Sequence, residues 1–197
     1  MNNQLESVNE AARETSVAQS VDVLVAGMGP AGIAAGVAAA REGARTLVIE
    51  RFGYPGGMIT GSHVVAVLGA GDGRRTLARG ITREIRERLE PLGAVSRPNP
   101  SGDYSVDAEV FKWQALEMLE ESGSRFLLHT LACEPIIEDG AVRGVFVENK
   151  TGRRAIRAKV VVDCTADADL AYRAGCACDN ETHDVTLRIV VEGVGRI

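Results

Sequence analysis

Three glycines and one acid carry the most legible chemistry in this chain. Gly27, Gly29 and Gly32 stand in Gly27-Met28-Gly29-Pro30-Ala31-Gly32, a G-x-G-x-x-G, and Glu50 follows 21 residues after Gly29. At this spacing Gly27 permits a tight turn out of a strand, Gly29 lets the backbone approach a pyrophosphate, and Gly32 lets a helix lie close on a sheet. A helix beginning at Pro30 offers unbonded N–H groups and a partial positive charge to phosphates. Proline suits that first position, where its missing N–H would have no helical partner. The Glu50 carboxylate can accept hydrogen bonds from a ribose diol and would repel a 2′-phosphate. The constellation predicts the ADP half of a dinucleotide site. Glu50 permits NAD as well as FAD, and the bland alternative is a glycine turn that holds no ligand. A second glycine-rich string, Gly69-Ala70-Gly71-Asp72-Gly73, has the wrong spacing and no matching acid, so it reads as a loop.

The elements that must position these residues are visible around them. Val-Asp-Val-Leu-Val-Ala at 21–26 suits a strand buried on both faces. An alanine-rich helix over 30–42 ends at Gly43, and 46–49 is a second buried strand that closes a β-α-β unit. The glycine-rich stretch 51–75 reads as irregular, 77–92 as a helix and 93–104 as a loop with Pro98 and Pro100. Asp107 is placed to cap a helix running to about 122, with Phe111, Ala115, Met118 and Leu119 on one face. Strands are then expected at 125–130, 134–138, 142–148, 154–158 and 160–162, with Asp139-Gly140 as a hairpin turn. The fold class is α/β: a Rossmann-like domain with a parallel sheet and an antiparallel β-meander as its later crossover. We expect a mobile polar tail at 1–20, the dinucleotide-binding domain at 21–178, and the start of an incomplete substrate domain at 179–197.

Composition narrows the functional classes. The chain has 197 residues, 45% hydrophobic and 25% charged, with a net charge of −5, which lacks the basic footprint of a nucleic-acid binder. No apolar stretch is long enough to span a membrane, and the first twenty residues lack the features of a secretion signal or transit peptide. A cytoplasmic protein acting on a small-molecule substrate is the default expectation. Cys133, Cys164, Cys176 and Cys178 form no C-x-x-C and have no histidine cluster beside them, so reduced thiols are expected and no metal site.

From 21 to about 191 the chain resembles the FAD-dependent oxidoreductases of the glutathione-reductase-like Rossmann superfamily. The resemblance rests on ordered segments: Val-Leu-Val-Ala-Gly-Met-Gly-Pro-Ala-Gly at 23–32, Ile-Glu-Arg at 49–51, Gly-Gly-Met at 56–58 and Arg-Gly-Ile at 79–81. Glu-Met-Leu-Glu-Glu-Ser-Gly at 117–123, Gly-Val-Phe-Val-Glu-Asn-Lys at 144–150 and Val-Val-Asp-Cys-Thr-Ala-Asp-Ala-Asp-Leu at 161–170 complete it. The resemblance implies that Gly27, Gly29, Pro30, Ala31 and Gly32 meet the pyrophosphate, and that Glu50 with the Arg51 backbone holds the adenosine ribose. It implies that Gly57 and Met58 line the pyrophosphate and ribityl side, that Ala132 offers backbone to the adenine, and that the backbone of Thr165, Ala166 and Asp167 approaches the cofactor. NAD-type domains normally cross over by a helix here, so the meander at 134–158 favours FAD. The family usually carries Thr-Gly-Asp where this chain has Thr165-Ala166-Asp167; alanine adds a Cβ and disfavours positive φ.

No catalytic residue is assigned. Met-Ile-Thr-Gly-Ser at 58–62 holds no cysteine pair, which argues against a disulfide reductase. His63 could approach a flavin, although a loop histidine is more often a packing or surface residue, and His129 and His183 carry still weaker cases. Asp167 and Asp169 could cap the helix after the last strand. The family's substrate domain and closing segment have no counterpart before Ile197. This motivates two further expectations: an exposed apolar surface around 185–194, and a homo-oligomer or complementary partner chain that covers it. A catalytically silent or partner-dependent nucleotide-binding domain is the rival reading.

Overall fold

The computed structural model describes residues 7–72, 74–75 and 77–179. The expectations at 180–197, including His183 and the apolar surface around 185–194, lie outside the described residues.

Strand β1 (Val17–Ala26) leads through the glycine turn into helix α1 (Pro30–Arg41), and β2 (Thr46–Ile49) closes the β-α-β unit. Next come α2 (Met58–Gly61), β3 (Ala66–Val67), α3 (Ile81–Leu89), a 3-10 turn (Glu90–Leu92), β4 (Tyr104–Ser105) and α4 (Ala108–Glu121). The described residues continue with β5 (Arg125–Leu127), β6 (Leu131–Glu138), β7 (Ala141–Asn149), β8 (Gly152–Asp163) and α5 (Asp169–Arg173). Among the described residues the main sheet has six strands in the order β5-β2-β1-β8-β7-β6. β5, β2, β1 and β8 run parallel, and β7 and β6 run antiparallel.

Both faces of the parallel strands are covered, which explains their unbroken apolar runs. On one face Val25 and Val48 pack with Ile33 and Val37 of α1 and Met118 and Leu119 of α4. On the other, Leu24, Ala26, Leu47 and Ile49 pack with Val145, Val147, Ile156 and Leu170. Asp107 caps α4, its Oδ1 accepting from the N–H of Glu109 and of Val110 at 2.9 Å. Asp139 and Gly140, at φ 51° and 73°, make the β6–β7 hairpin turn from two left-handed residues. Three helices are tied by one ion-pair network. Arg41 of α1 forks onto Glu84 of α3 at 2.7 Å, and Arg88 bridges Glu84 to Glu121 of α4.

Several boundaries differ from the sequence reading. β1 starts at Val17 rather than 21, because Val17, Gln19 and Ser20 pair with Ala155, Ile156 and Arg157 of β8. Residues 17–20 therefore belong to the sheet and not to the tail expected at 1–20. Backbone pairing against an available edge needs no apolar side chain, so the polar sequence concealed it. The segments expected as separate strands at 154–158 and 160–162 form one strand of twelve residues, β8. It pairs with β7 from Gly152 to Arg157 and with β1 from Ala155 to Asp163, so the meander and the parallel sheet are continuous. The α3 helix is shorter than 77–92, since Gly80 at φ 60° precedes its first turn.

Candidate functional site

The glycine turn sits at the carboxyl end of β1, between α1 and the loop that follows β8. Gly27 has φ +99°, and a Cβ there would fall 2.2 Å from the Cys164 carbonyl oxygen. A Cβ at Gly32 would fall 1.9 Å from the Gly27 oxygen. These two positions are closed to any side chain by the protein's own backbone. Gly29 is different: its φ of −72° is ordinary, and a Cβ would meet only the Gly57 Cα at 3.8 Å. The fold does not need glycine at 29, so the open space there suits an approaching ligand. The first intrahelical bond of α1 runs from Ile33 N to Gly29 O, which leaves the N–H groups of Ala31 and Gly32 ahead of the ladder. No acid stands in that first turn, so an anion meets no opposing charge from α1.

Glu50 is buried, at 6% exposure, where β2 ends. Its Oε2 accepts from Met28 N at 2.7 Å and its Oε1 from Phe52 N at 2.9 Å. The acid is thus oriented by the glycine turn itself, and each oxygen keeps acceptor capacity for a ribose hydroxyl. Gly56 N donates to Met28 O at 2.7 Å, which brings Gly57 and the exposed Met58 against the same turn. Thr130 N donates to the Glu50 carbonyl at 2.8 Å, so Ala132, two residues on, leaves the same corner along β6.

The third side is the loop after β8. Cys164 N donates to Ala26 O at 2.8 Å. Asp163 organises the loop: it accepts from the Thr165 hydroxyl at 2.7 Å and from the N–H of Leu170 and Ala171 at 2.9 Å. Burial would raise its pKa, but these donors outweigh it and hold the carboxyl below its ordinary value. Asp163, rather than the expected Asp167 or Asp169, therefore caps α5, and Asp169 instead donates its N–H to the Thr165 hydroxyl. The sequence signal was available: an acid followed by Thr two residues later and a helix start six later. Ala166 takes φ +84° despite its Cβ, and Ala168 takes +56°.

Arg51 is exposed and lays its guanidinium over the Phe52 ring at 4.7 Å. Phe52 stacks on Tyr54 at 5.6 Å between centroids, and Lys112 of α4 sits over Tyr54 at 4.6 Å. Sequence reading did not single out Phe52, Tyr54 or Lys112. His129 lies beside Gly53, whereas His63 follows α2 with φ +51°. Burial pushes the thiols of Cys133 and Cys164 above their ordinary pKa, and all four cysteines are unpaired. A cleft of about 280 Å³ lined by Arg83, Arg86, Glu87, Glu90 and Tyr104 shares no residue with the glycine turn. Each of its arginines is already paired to a glutamate.

Residues 22–186 match the family described as FAD dependent oxidoreductase. The chain belongs to that family. A digeranylgeranylglycerophospholipid reductase of Methanoculleus marisnigri is 30% identical over 162 residues, 78% of this chain and 41% of that protein. A second, from Methanopyrus kandleri, is 32% identical over 149 residues, 72% of this chain and 38% of that protein. The chain thus spans about two-fifths of the length of these curated relatives. Among solved structures, the THI4 protein of Thermovibrio ammonificans matches with a TM-score of 0.58 at 24% identity, over 78% of this chain and 61% of that one. A geranylgeranyl bacteriochlorophyll reductase-like protein of Thermoplasma acidophilum matches with a TM-score of 0.61 at 20% identity, over 80% and 42%. These two likenesses show the fold.

For an FAD-dependent oxidoreductase the cofactor is FAD, and the NAD alternative is not favoured. The residues present fit its ADP half: an open glycine at a helix N-terminus, N–H groups without helical partners, and a buried acid aimed by two backbone donors. Among the described residues no helix is long and apolar enough to cross a membrane, and no three His, Cys, Asp or Glu side chains gather as a metal site.

Proposed function

We propose that this chain forms the FAD-binding part of a flavoprotein oxidoreductase that acts on a small-molecule substrate. The observation that carries the reading is the contrast within the glycine turn: Gly27 and Gly32 are required by the fold, and Gly29 is not. A fold-neutral glycine at the tip of α1 has a reason in a ligand that comes within backbone distance. Pro30, Ala31 and Gly32 would present the helix terminus to the pyrophosphate, Glu50 would accept the ribose hydroxyls, and Gly57 would border the diphosphate. Thr165, Ala166 and Asp167 would approach the cofactor from the loop after β8, Ala132 would offer backbone to the adenine, the Arg51 backbone would join Glu50 at the ribose, and Met58 would line the ribityl side with Gly57. FAD, when bound, supplies the two-electron chemistry. The protein's part is to hold it, orient it and keep its charge compensated. We further propose that substrate-binding groups come from protein beyond these residues, in the same polypeptide or a partner, because the relatives are about twice as long. A cytoplasmic setting is consistent with four unpaired cysteines.

The test is the visible spectrum of the purified chain after FAD addition and gel filtration. Flavin bands that elute with the protein support the reading, and their disappearance in Gly29→Ala with an unchanged circular dichroism spectrum assigns them to this turn. A colourless wild-type protein that cannot be reconstituted refutes it.

A further inference from the structure

The loop after β2 is held from two sides, and one of the holds is a histidine. His129 stands at the corner between β5 and β6 with φ +50°, a left-handed conformation that few residue types other than glycine adopt. Its N–H donates to the Phe52 carbonyl at 3.0 Å, and the next residue, Thr130, donates to the Glu50 carbonyl at 2.8 Å. Its imidazole lies over Gly53: a Cβ there would fall 2.6 Å from Nε2 and 2.7 Å from Cε1. The ring can occupy that place only because residue 53 has no side chain. From the other side, Lys112 of α4 covers Tyr54, which stacks on Phe52. Phe52 in turn donates its N–H to Glu50 Oε1. Any shift of the loop therefore moves a donor that aims the acid.

We infer that His129 is a positioning residue for the adenosine side of the FAD site. It acts through Gly53 and Phe52 to fix the Glu50 carboxylate, and it does not touch the reacting part of the cofactor. This inference rests on the reading of the glycine turn as an FAD site. The left-handed backbone gives it a signature that general stabilisation does not share. Glycine at 129 removes the ring and relieves the backbone, so stability and affinity are expected to move in opposite directions. Alanine at 53 displaces the ring while leaving the His129 backbone as it is, and the atoms it meets belong to the end of a movable side chain.

The experiment measures thermal melting, and ADP and FAD binding by calorimetry, on the full chain. The proteins are wild type, His129→Gly, Gly53→Ala and the double variant. His129→Gly is expected to melt at or above the wild type and to bind both ligands about tenfold more weakly, since the ring no longer seats on Gly53 while the backbone bond to Phe52 is kept. Gly53→Ala is expected to lose a similar factor, and the double variant to lose no more than either single one, since both remove the same support. A wild-type chain that binds neither ADP nor FAD refutes the cofactor reading itself. A wild type that binds both, with variants that bind equally well, overturns the role of His129 alone. A parallel fall in melting temperature and affinity in His129→Gly also overturns it, because that marks a merely structural residue.

Discussion

Ala166 invites a substitution whose sign can be worked out in advance. The residue sits at φ +84°, where its Cβ crowds its own backbone, and it is exposed. A non-glycine residue in left-handed conformation costs about 1–2 kcal/mol. Glycine removes that cost but frees the unfolded chain, which gives back about 0.5–1 kcal/mol. An exposed methyl group takes little packing with it, so Ala166→Gly should gain a net of about 0.5–1 kcal/mol. For a domain of this size that is a rise in melting temperature of about 1–4 °C. The melts should be followed by far-ultraviolet circular dichroism without FAD, because a bound ligand raises the melting point by mass action. The reciprocal control is Gly27→Ala. It combines φ +99° with a Cβ 2.2 Å from the Cys164 oxygen and should destabilise by about 3 kcal/mol or more, from strain plus overlap. If Ala166→Gly lowers the melting temperature, the backbone at 166 is not strained, and the reasoning from its left-handed φ fails.

Other outcomes follow from the same geometry. Gly29→Ala should cost no more than about 1 kcal/mol of stability, as a helix-cap change, while lowering FAD affinity at least about tenfold in a fluorescence titration. Asp163→Asn should destabilise by about 1.5–3 kcal/mol in urea unfolding, since a charged acceptor of several N–H and O–H bonds is lost at the cap of α5. The Arg41 fork, with Arg88 behind it, holds Glu84 at about 2 against the opposing effect of burial. A lowered carboxylate pKa stabilises above the unfolded value of 4.5, and that stability is lost as pH falls toward 2. With the Glu84 side chain 28% exposed, solvent reduces the contribution to about 1 kcal/mol. Glu84→Gln should therefore narrow the stability difference between pH 6 and pH 3 by about that amount.

The β-α-β unit, the α4 helix with its Asp107 cap and the Asp139-Gly140 hairpin were legible because each carries a local signal. Those signals are a buried run, a capping side chain and a left-handed turn pair. The ribbon of β3 and β4 was not, because two residues a side have no periodicity to read and their partners are far apart in sequence. The first residues of β1 were hidden for a related reason: Gln19 and Ser20 join the sheet through their backbone alone. Within the site, the glycines and Glu50 could be read from spacing. The Phe52–Tyr54 stack under Lys112 and the seat of His129 on Gly53 depend on segments that meet only when β2, α4 and β5 are assembled. The cap of α5 was misassigned because Asp163 reaches forward seven and eight residues, beyond the usual capping distance.

The pairing of β1 with β8 sets the order in which this molecule can be made. Val25 lies beside Val162 at the centre of the sheet, so the two halves of that central pair are 137 residues apart along the chain. A ribosome releasing the polypeptide from its first residue exposes one long edge of β1 until β8 has emerged. With β1 and β2 already able to pair, the nascent chain carries an open sheet edge until β8 emerges, an invitation to pair with another copy. Contacts this remote in sequence slow folding, because the closure entropy of the long loop is paid before the contact rewards it. The centre of the sheet is therefore completed late, and a lower growth temperature or a chaperone that shields β1 should raise the yield of folded protein more than any substitution at the site.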